Sequence, residues 1–409
     1  MNKVRGILCV YGNNIYGAVL RTASLILLTR MLGKVGYGQI KVAESLIGSA
    51  LPIVLFGLDN AVLKFCSEKC ENTEKCKIVS NAVIIIFFIS VVWTIVNAVL
   101  VETTDLYQLS NRYLNRIVIW TLPFLALKDV IESYLYSQKK FEQTALLNTG
   151  ILTFEVILIV SFCYLFDTTG WAVAKIIALL FNVIILLFFV KDQIVYKIDI
   201  KKFKETLRFS LYDWITTVLA GLTSAAPVLL STWMRVNDDH IGSFAIVTGI
   251  IGGIRFIPQT IIDVGTPDMS RNMEDINKFR KIVANIFLWE NLISILIFLG
   301  VVLTNKFVLV FVLKIEDDIT GSILIIMSFA LIMEQNSYTF MTALMSLGKT
   351  KLTAITYFVT FISSVIFCGI GIFINGIFGL TFGIVFATII SGICNLYFYH
   401  VSLKKRIKE

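Results

Sequence analysis

Fourteen charged side chains interrupt the long apolar runs of this chain, and they set the chemistry open to it. Five are basic: Arg21, Lys41, Lys128, Lys175 and Arg255. Nine are acidic: Glu44, Asp59, Asp129, Glu132, Glu155, Asp213, Asp263, Glu290 and Glu334. A charge in a hydrocarbon setting is expensive, so it faces a cavity, water or an opposite charge. Lys41 and Glu44 are three residues apart and Lys128 and Glu132 four apart, so local pairing accounts for them. Asp59, Asp213 and Asp263 stand near the inner ends of their runs, within reach of water. Arg21 and Arg255 differ, with no opposite charge three or four residues away. Arg21 shares a helical face with Asn14, Gly17 and Ser24, while Arg255 follows Gly252-Gly253 and precedes Pro258, a sequence that bends helices. Two readings stay open for both arginines: they line a cavity, or they pair structurally with Glu155, Glu290 or Glu334. In a cavity, the planar donor fork of guanidinium suits a phosphate. Lys41, Lys128 and Lys175 complete the expected cationic, substrate-binding set. Glu44, Glu155, Glu290 and Glu334 are the candidates for carrying a coupling ion.

Bond-making chemistry finds little support. His240 and His400 are the only histidines, too far apart in the chain to be read as a metal cluster. No Walker lysine motif, G-x-S-x-G elbow or dinucleotide fingerprint is present. No metal and no cofactor are expected. Cys66, Cys70 and Cys76 share one connection without a fourth ligand, and Cys9, Cys163, Cys368 and Cys394 lie in apolar runs. Zinc wants four ligands, so reduced thiols and no disulfides are expected. Trp120, Trp171, Trp214 and Trp233 stand toward run ends, as an interfacial belt does. Trp93 and Trp289 are deeper, where core packing is expected.

The elements that position these charges follow from composition. Of 409 residues, 57% are hydrophobic and 16% charged, and mean hydropathy is +0.82. A soluble chain carries about 45–50% apolar and about 25% charged residues. These figures exclude an ordinary cytosolic enzyme and a disulfide-stapled secreted protein. Twelve runs are long enough to cross a bilayer as helices: 8–30, 38–61, 78–101, 113–137, 146–166, 170–190, 209–233, 241–266, 282–304, 320–346, 351–374 and 377–400. The N-terminal run carries Asn13, Asn14 and Arg21 and lacks a small-residue cleavage site, so it reads as a retained first helix. The stretch from Asn305 to Lys314 is too short to cross and is expected at the interface.

Charge placement orients the layout. With both ends in the cytoplasm, termini and inner connections hold 24 Lys and Arg, and outer connections hold 7. The net charge of +8 thus reads as a basic face beside anionic membrane lipids, and no nucleic-acid partner is expected.

The chain also reads as two copies of one unit. Gly38 to Gly48 and Gly242 to Gly252 each open a helix with glycines ten apart, offset by 204 residues. Gly170-Trp-Ala-Val-Ala matches Gly379-Leu-Thr-Phe-Gly, and Ser137-Gln-Lys-Lys matches Ser346-Leu-Gly-Lys, both offset by 209. Two six-helix lobes with a parallel, pseudo-two-fold repeat are expected, residues 1–200 and 201–409. They join at the basic connection from Lys191 to Arg208. Matched lobes in a membrane imply alternating access to a substrate held between them near the midplane.

The stretch Leu28-Thr-Arg-Met-Leu-Gly-Lys-Val-Gly-Tyr-Gly38 resembles the signature that follows the first helix of polysaccharide-export flippases, through Arg30, Leu32, Gly33, Tyr37 and Gly38. Gly57 to Phe65 resembles the end of their second helix, Ala343 to Lys349 that of the tenth, and Asn375 to Gly383 the last hairpin. The resemblance is to the multidrug, oligosaccharidyl-lipid and polysaccharide exporter superfamily, on its O-antigen or capsule repeat-unit branch. It implies a non-enzymatic flippase of a bacterial or archaeal cytoplasmic membrane. Such a protein moves an undecaprenyl-diphosphate-linked oligosaccharide from the cytoplasmic to the outer leaflet, for surface polysaccharide assembly. Its partners would include a polysaccharide polymerase and glycosyltransferases. The alternative in the same class is a multidrug and toxin extruder, binding an organic cation through carboxylates. From another class come a membrane polymerase or acyltransferase, which want a large outer loop or a buried histidine.

Overall fold

The computed structural model describes residues 2–67, 72–103, 111–138, 140–191 and 200–408. Among them all regular structure is helical. The elements are α1 (Asn2–Leu55), α2 (Leu58–Ser67), α3 (Asn72–Thr103), α4 (Arg112–Val118), α5 (Leu122–Ser137), α6 (Phe141–Val190), α7 (Ile200–Trp233), α8 (Asp238–Arg271), α9 (Ile276–Phe307), α10 (Asp318–Ser346) and α11 (Thr350–Lys408). Eight helices among the described residues are long and apolar enough to cross a membrane: all but α2, α4 and α5. The protein is a multi-pass membrane protein.

Three of the eight are broken. α1 is interrupted at Gly33 (φ 69, ψ −177), α6 at Phe166 and Asp167, and α11 at Asn375 and Gly376. The fourth apolar run is not one straight helix either. Asn111 caps α4, its side chain accepting from the Leu114 amide at 3.2 Å, and a 3-10 turn, Ile119–Thr121, leads into α5 at Pro123.

The breaks in α6 and α11 match. Phe166 and Asp167 have φ/ψ of −134/19 and 51/−139, and Asn375 and Gly376 have −145/32 and 52/−129. The pairs are 209 residues apart (166 to 375, 167 to 376). The second residue of each takes a positive φ, which glycine adopts freely and aspartate tolerates better than most residues. Each break folds the chain back on itself with backbone nearly touching backbone. A Cβ added at Gly170 would collide with the Phe162 carbonyl oxygen, and one at Gly379 with that of Gly371. Gly379→Val is therefore expected to destabilise the protein by at least about 1–3 kcal/mol, the usual cost of overpacking. Gly369→Ala, whose new methyl meets nothing within 4 Å, should be nearly silent. Equal unfolding temperatures for the two purified variants would refute the close contact.

By contacts the chain forms two compact units, Met1–Ala225 and Ala226–Glu409. In the first, Leu58, Val62, Ile86, Ile131 and Leu186 form part of a buried core shared by α2, α3, α5 and α6. Residues 200–225 of α7 belong to this unit, because this part of the helix closes over the turn between α1 and α2. Trp214 stacks on Phe56 at 4.6 Å, and its indole N–H donates to the Pro52 carbonyl at 3.0 Å. In the second unit, Ile262, Met269, Phe279, Val283 and Leu344 are buried where α8, α9 and α10 meet.

One sequence expectation fails here, that for Trp289, and the stretch after residue 304 takes a definite form. The stretch after residue 304 continues α9 to Phe307 and passes into a π-helical turn, Val308–Leu313, ended by Lys314 in the left-handed conformation. Leu309 and Leu313 bury themselves while Phe307 and Phe311 stay exposed, so helical periodicity simply persists. Trp289 is 57% exposed and does not pack in the core, because the α9 face bearing it carries other exposed apolar residues.

Candidate functional site

Eight charged side chains of the first unit come together from five helical segments. On the second half of α1, Lys41 Nζ lies 3.1 Å from Glu44 Oε2. On α5, Lys128 Nζ lies 3.2 Å from Glu132 Oε1 and 3.5 Å from Asp129 Oδ1. On α6, Lys175 bonds directly to Glu155 across the turn. These pairs are not separate. Glu44 lies within electrostatic reach of Lys175 and of Arg21 on the first half of α1, and Lys128 within reach of Glu155. Tyr37 stands near Glu44, and Asn148 near Glu132.

The local framework is polar too. Thr149 Oγ1 donates to Asn13 Oδ1 at 2.7 Å, and the Tyr16 and Thr153 hydroxyls meet at 2.8 Å. These bonds fix the first halves of α1 and α6 against each other and set the height of Arg21, a turn beyond Tyr16.

The resulting cluster is balanced: Arg21, Lys41, Lys128 and Lys175 face Glu44, Asp129, Glu132 and Glu155. Neutrality is what a low-dielectric interior demands, since an uncompensated charge there costs several kcal/mol. Within it, each lysine has a carboxylate at bonding distance. Arg21 makes no ion pair among the described residues, and its side chain is exposed. It is the cation left available to an incoming anion.

The second unit is arranged differently. Arg255 Nη1 lies 2.8 Å from Glu334 Oε1, joining α8 to α10, with side chains 39% and 36% exposed. One turn of α10 further on, the Tyr338 hydroxyl donates to Asp263 Oδ1 at 3.3 Å. Glu290 stands apart. It is fully buried on α9 and no cation pairs with it among the described residues. Its polar neighbours are Ser294, one turn on, and Asn291, whose amide donates to Asn336 Oδ1 at 2.6 Å.

Sequence reading singled out Arg21, Lys41, Glu44, Lys128, Glu155 and Lys175, which the fold gathers into one cluster, and Arg255 with Glu334, which it pairs. It missed an uncharged network between α10 and α11. There Asn395 donates to Ser337 at 3.0 Å, Ser337 meets Ser391 at 2.8 Å, and Thr360 donates to Ser391 at 2.9 Å. Its signal was the four-residue spacing of Ser391 and Asn395. Cys70 lies outside the described residues, as do residues 192–199 of the basic connection. Cys66, Cys76, Cys163, Cys368 and Cys394 are free thiols.

Comparison with known proteins adds three findings. The family model for polysaccharide biosynthesis proteins matches residues 4–273. No curated protein sequence matches the chain. Among solved structures, the fold is similar to that of the lipid II flippase MurJ in an inward closed conformation, with a TM-score of 0.77 at 17% identity, over 97% of this chain and 87% of that one. It is similar also to an inward-facing multidrug resistance MATE family transporter of the MOP superfamily, with a TM-score of 0.73 at 13% identity, over 97% and 95% of the two chains. A Vibrio cholerae MATE transporter, VcmN in its bent form, aligns with a TM-score of 0.54 at 16% identity, over 94% and 98%. At these identities the likeness establishes the fold.

Proposed function

Because the chain belongs to the polysaccharide biosynthesis protein family, we propose that it flips an undecaprenyl-diphosphate-linked oligosaccharide from the cytoplasmic to the outer leaflet by alternating access. The observation that carries this reading is Arg21, the one cation of a balanced intramembrane cluster without an ion pair among the described residues. A diphosphate entering such a setting needs a positive donor that is not already committed, and guanidinium offers two parallel N–H groups to it. Lys41, Lys128 and Lys175 contribute by balancing the charge of the surrounding carboxylates. Arg255 either turns from Glu334 to the substrate or keeps that pair. Purified protein in vesicles loaded with a fluorescent prenyl-diphosphate sugar tests the reading: flipping above that of empty vesicles is expected.

We read each broken helix, α1, α6 and α11, as two crossings and α4–α5 as one. With α3, α7, α8, α9 and α10 this makes twelve, with both ends in the cytoplasm. The lobes are residues 1–200 and 201–409, related by a parallel pseudo-two-fold repeat. The setting is a bacterial or archaeal cytoplasmic membrane, with glycosyltransferases supplying substrate and a polymerase consuming product. Asn237, which caps α8, is then outside. A single cysteine at 237 in a cysteine-free variant should react with an impermeant maleimide in intact cells. Reaction only after permeabilisation would invert α7 and α8 and end this topology.

The rival multidrug extrusion reading needs a free carboxylate for an organic cation. In the first unit Glu44, Glu132 and Glu155 are each bonded to a lysine, which disfavours it. Glu290 remains the best coupling carboxylate, being buried without a cation. Glu290→Gln, fixed in the neutral form, is expected to abolish gradient-driven accumulation while downhill flipping persists. Unchanged accumulation under a proton gradient would remove Glu290 from that role.

A further inference from the structure

A groove of about 940 Å³ opens on the second unit, between α9, the end of α10 and the end of α11. It lies away from Arg255 and Glu334. Its walls are apolar along most of their length. Leu288, Leu292 and Leu296 repeat every four residues down one face of α9, and all three are exposed, at 60%, 46% and 59%. Every polar charge is at one end. Arg280, His400 and Lys404 gather where α9 begins and α11 ends, and Arg280 lies within electrostatic reach of Tyr399. Among the described residues no lining side chain is acidic, and neither Arg280 nor Lys404 has an ion pair. The His400 Nδ1 faces its own helix, at 3.0 Å from the Leu396 carbonyl, which turns Nε2 outward.

We infer that this groove is a binding site for an anionic membrane phospholipid, its phosphate on Arg280, His400 and Lys404 and an acyl chain along Leu288, Leu292 and Leu296. The dimensions fit. Sixteen residues of helix separate Arg280 from Leu296, about 24 Å at ~1.5 Å per residue. One leaflet supplies about 15 Å of a ~30 Å hydrocarbon core, so an acyl chain lies within the groove at full length. Charge complementarity selects the headgroup. Lysine and arginine near a membrane surface attract anionic lipid. Here two are presented together, with the His400 imidazole beside them, above a channel shaped for the tail, so headgroup and chain are recognised by one site. The groove needs no substrate and takes no part in the flipping step.

The test uses the full chain in nanodiscs of phosphatidylcholine, with and without a minority of phosphatidylglycerol. Phosphatidylglycerol should raise the unfolding temperature by several degrees and remain bound through detergent exchange. Arg280→Gln with Lys404→Gln should abolish both effects. Leu288→Trp, and separately Leu292→Trp, should abolish them with every charge intact. Leu303→Trp, at an 84% exposed position on the same helix but outside the groove, should leave them unchanged. Loss in the glutamine variant but not in either tryptophan variant would mean diffuse surface attraction, and would overturn the site. So would an undiminished shift in the glutamine variant. A shift produced by undecaprenyl phosphate and not by phosphatidylglycerol would overturn the choice of occupant. Flipping activity enters none of these readouts, so the outcome stands apart from the proposed transport function.

Discussion

Cells whose only copy of this protein carries Arg21→Gln are expected to lose surface glycan while keeping normal amounts of the protein in the membrane. Removing one partner of a desolvated charge contact costs about 2–5 kcal/mol, much of it from the phosphate left unpaired. At 1.4 kcal/mol per tenfold, that is roughly 30-fold to several-thousand-fold in flipping. Arg21→Lys should recover only part, since an ammonium keeps the charge and loses the fork. Arg255 has to be tested with its partner. Arg255→Gln strands Glu334, which sits 2.8 Å away, so protein level as well as glycan should fall. Adding Glu334→Gln should restore the level. If glycan returns with it, Arg255 is structural; if glycan stays low, Arg255 touches the substrate. Normal glycan with glutamine at 21 and 255 together would dismiss the arginines as the diphosphate contacts.

Lys175→Met is expected to cost about 3–5 kcal/mol of stability, because it leaves Glu155 without its cation inside the helical hairpin of α6. The two side chains are only 25% and 15% exposed, so water does little to replace the lost partner. The effect should spread, since Lys175 also acts on Glu44. Combining Glu155→Gln with Lys175→Met should recover most of the loss, as a polar but neutral pair needs no counter-charge. The measurement is the unfolding temperature of the purified variants beside their glycan output. A single variant as stable as the parent would show that the pair carries no stability. Full stability with lost flipping would instead make Lys175 a substrate contact.

Much of this arrangement was legible in the sequence because lipid penalises charge so heavily. Lys41 and Glu44, or Lys128 and Glu132, lie one helical turn apart, and spacing alone brings them together. Lys175 and Glu155 are twenty residues apart, and nothing local announces their contact. It exists because the turn at Phe166 and Asp167 returns the chain along itself. The reversal itself was legible as the gap between the runs 146–166 and 170–190. Its two-residue form, with Asp167 at positive φ, was not, and neither was the register that sets residue 175 against residue 155. Neutrality of the cluster was also unreadable. Counting charges within helices gave five basic residues and nine acidic ones, but only the fold decides which four meet which four. The network around Ser337, Ser391 and Asn395 went unseen because single hydroxyls and amides are common in membrane helices and carry no charge to betray them.

The two-residue reversals in α6 and α11 bear on how the protein is made. A helix pair joined by a long polar loop obliges the insertion machinery to thread that loop through the bilayer before the second helix can settle. Here the reversal exposes almost nothing hydrophilic: Asp167 and, partly, Thr169 in one hairpin, and Asn375 in the other. The two arms of each hairpin meet through Gly170 or Gly379 right beside the reversal, a geometry suited to entering lipid as a pair. In the second of these hairpins the seam is Gly371 against Gly379, so a nascent chain halted before residue 379 would lack the second half of that contact.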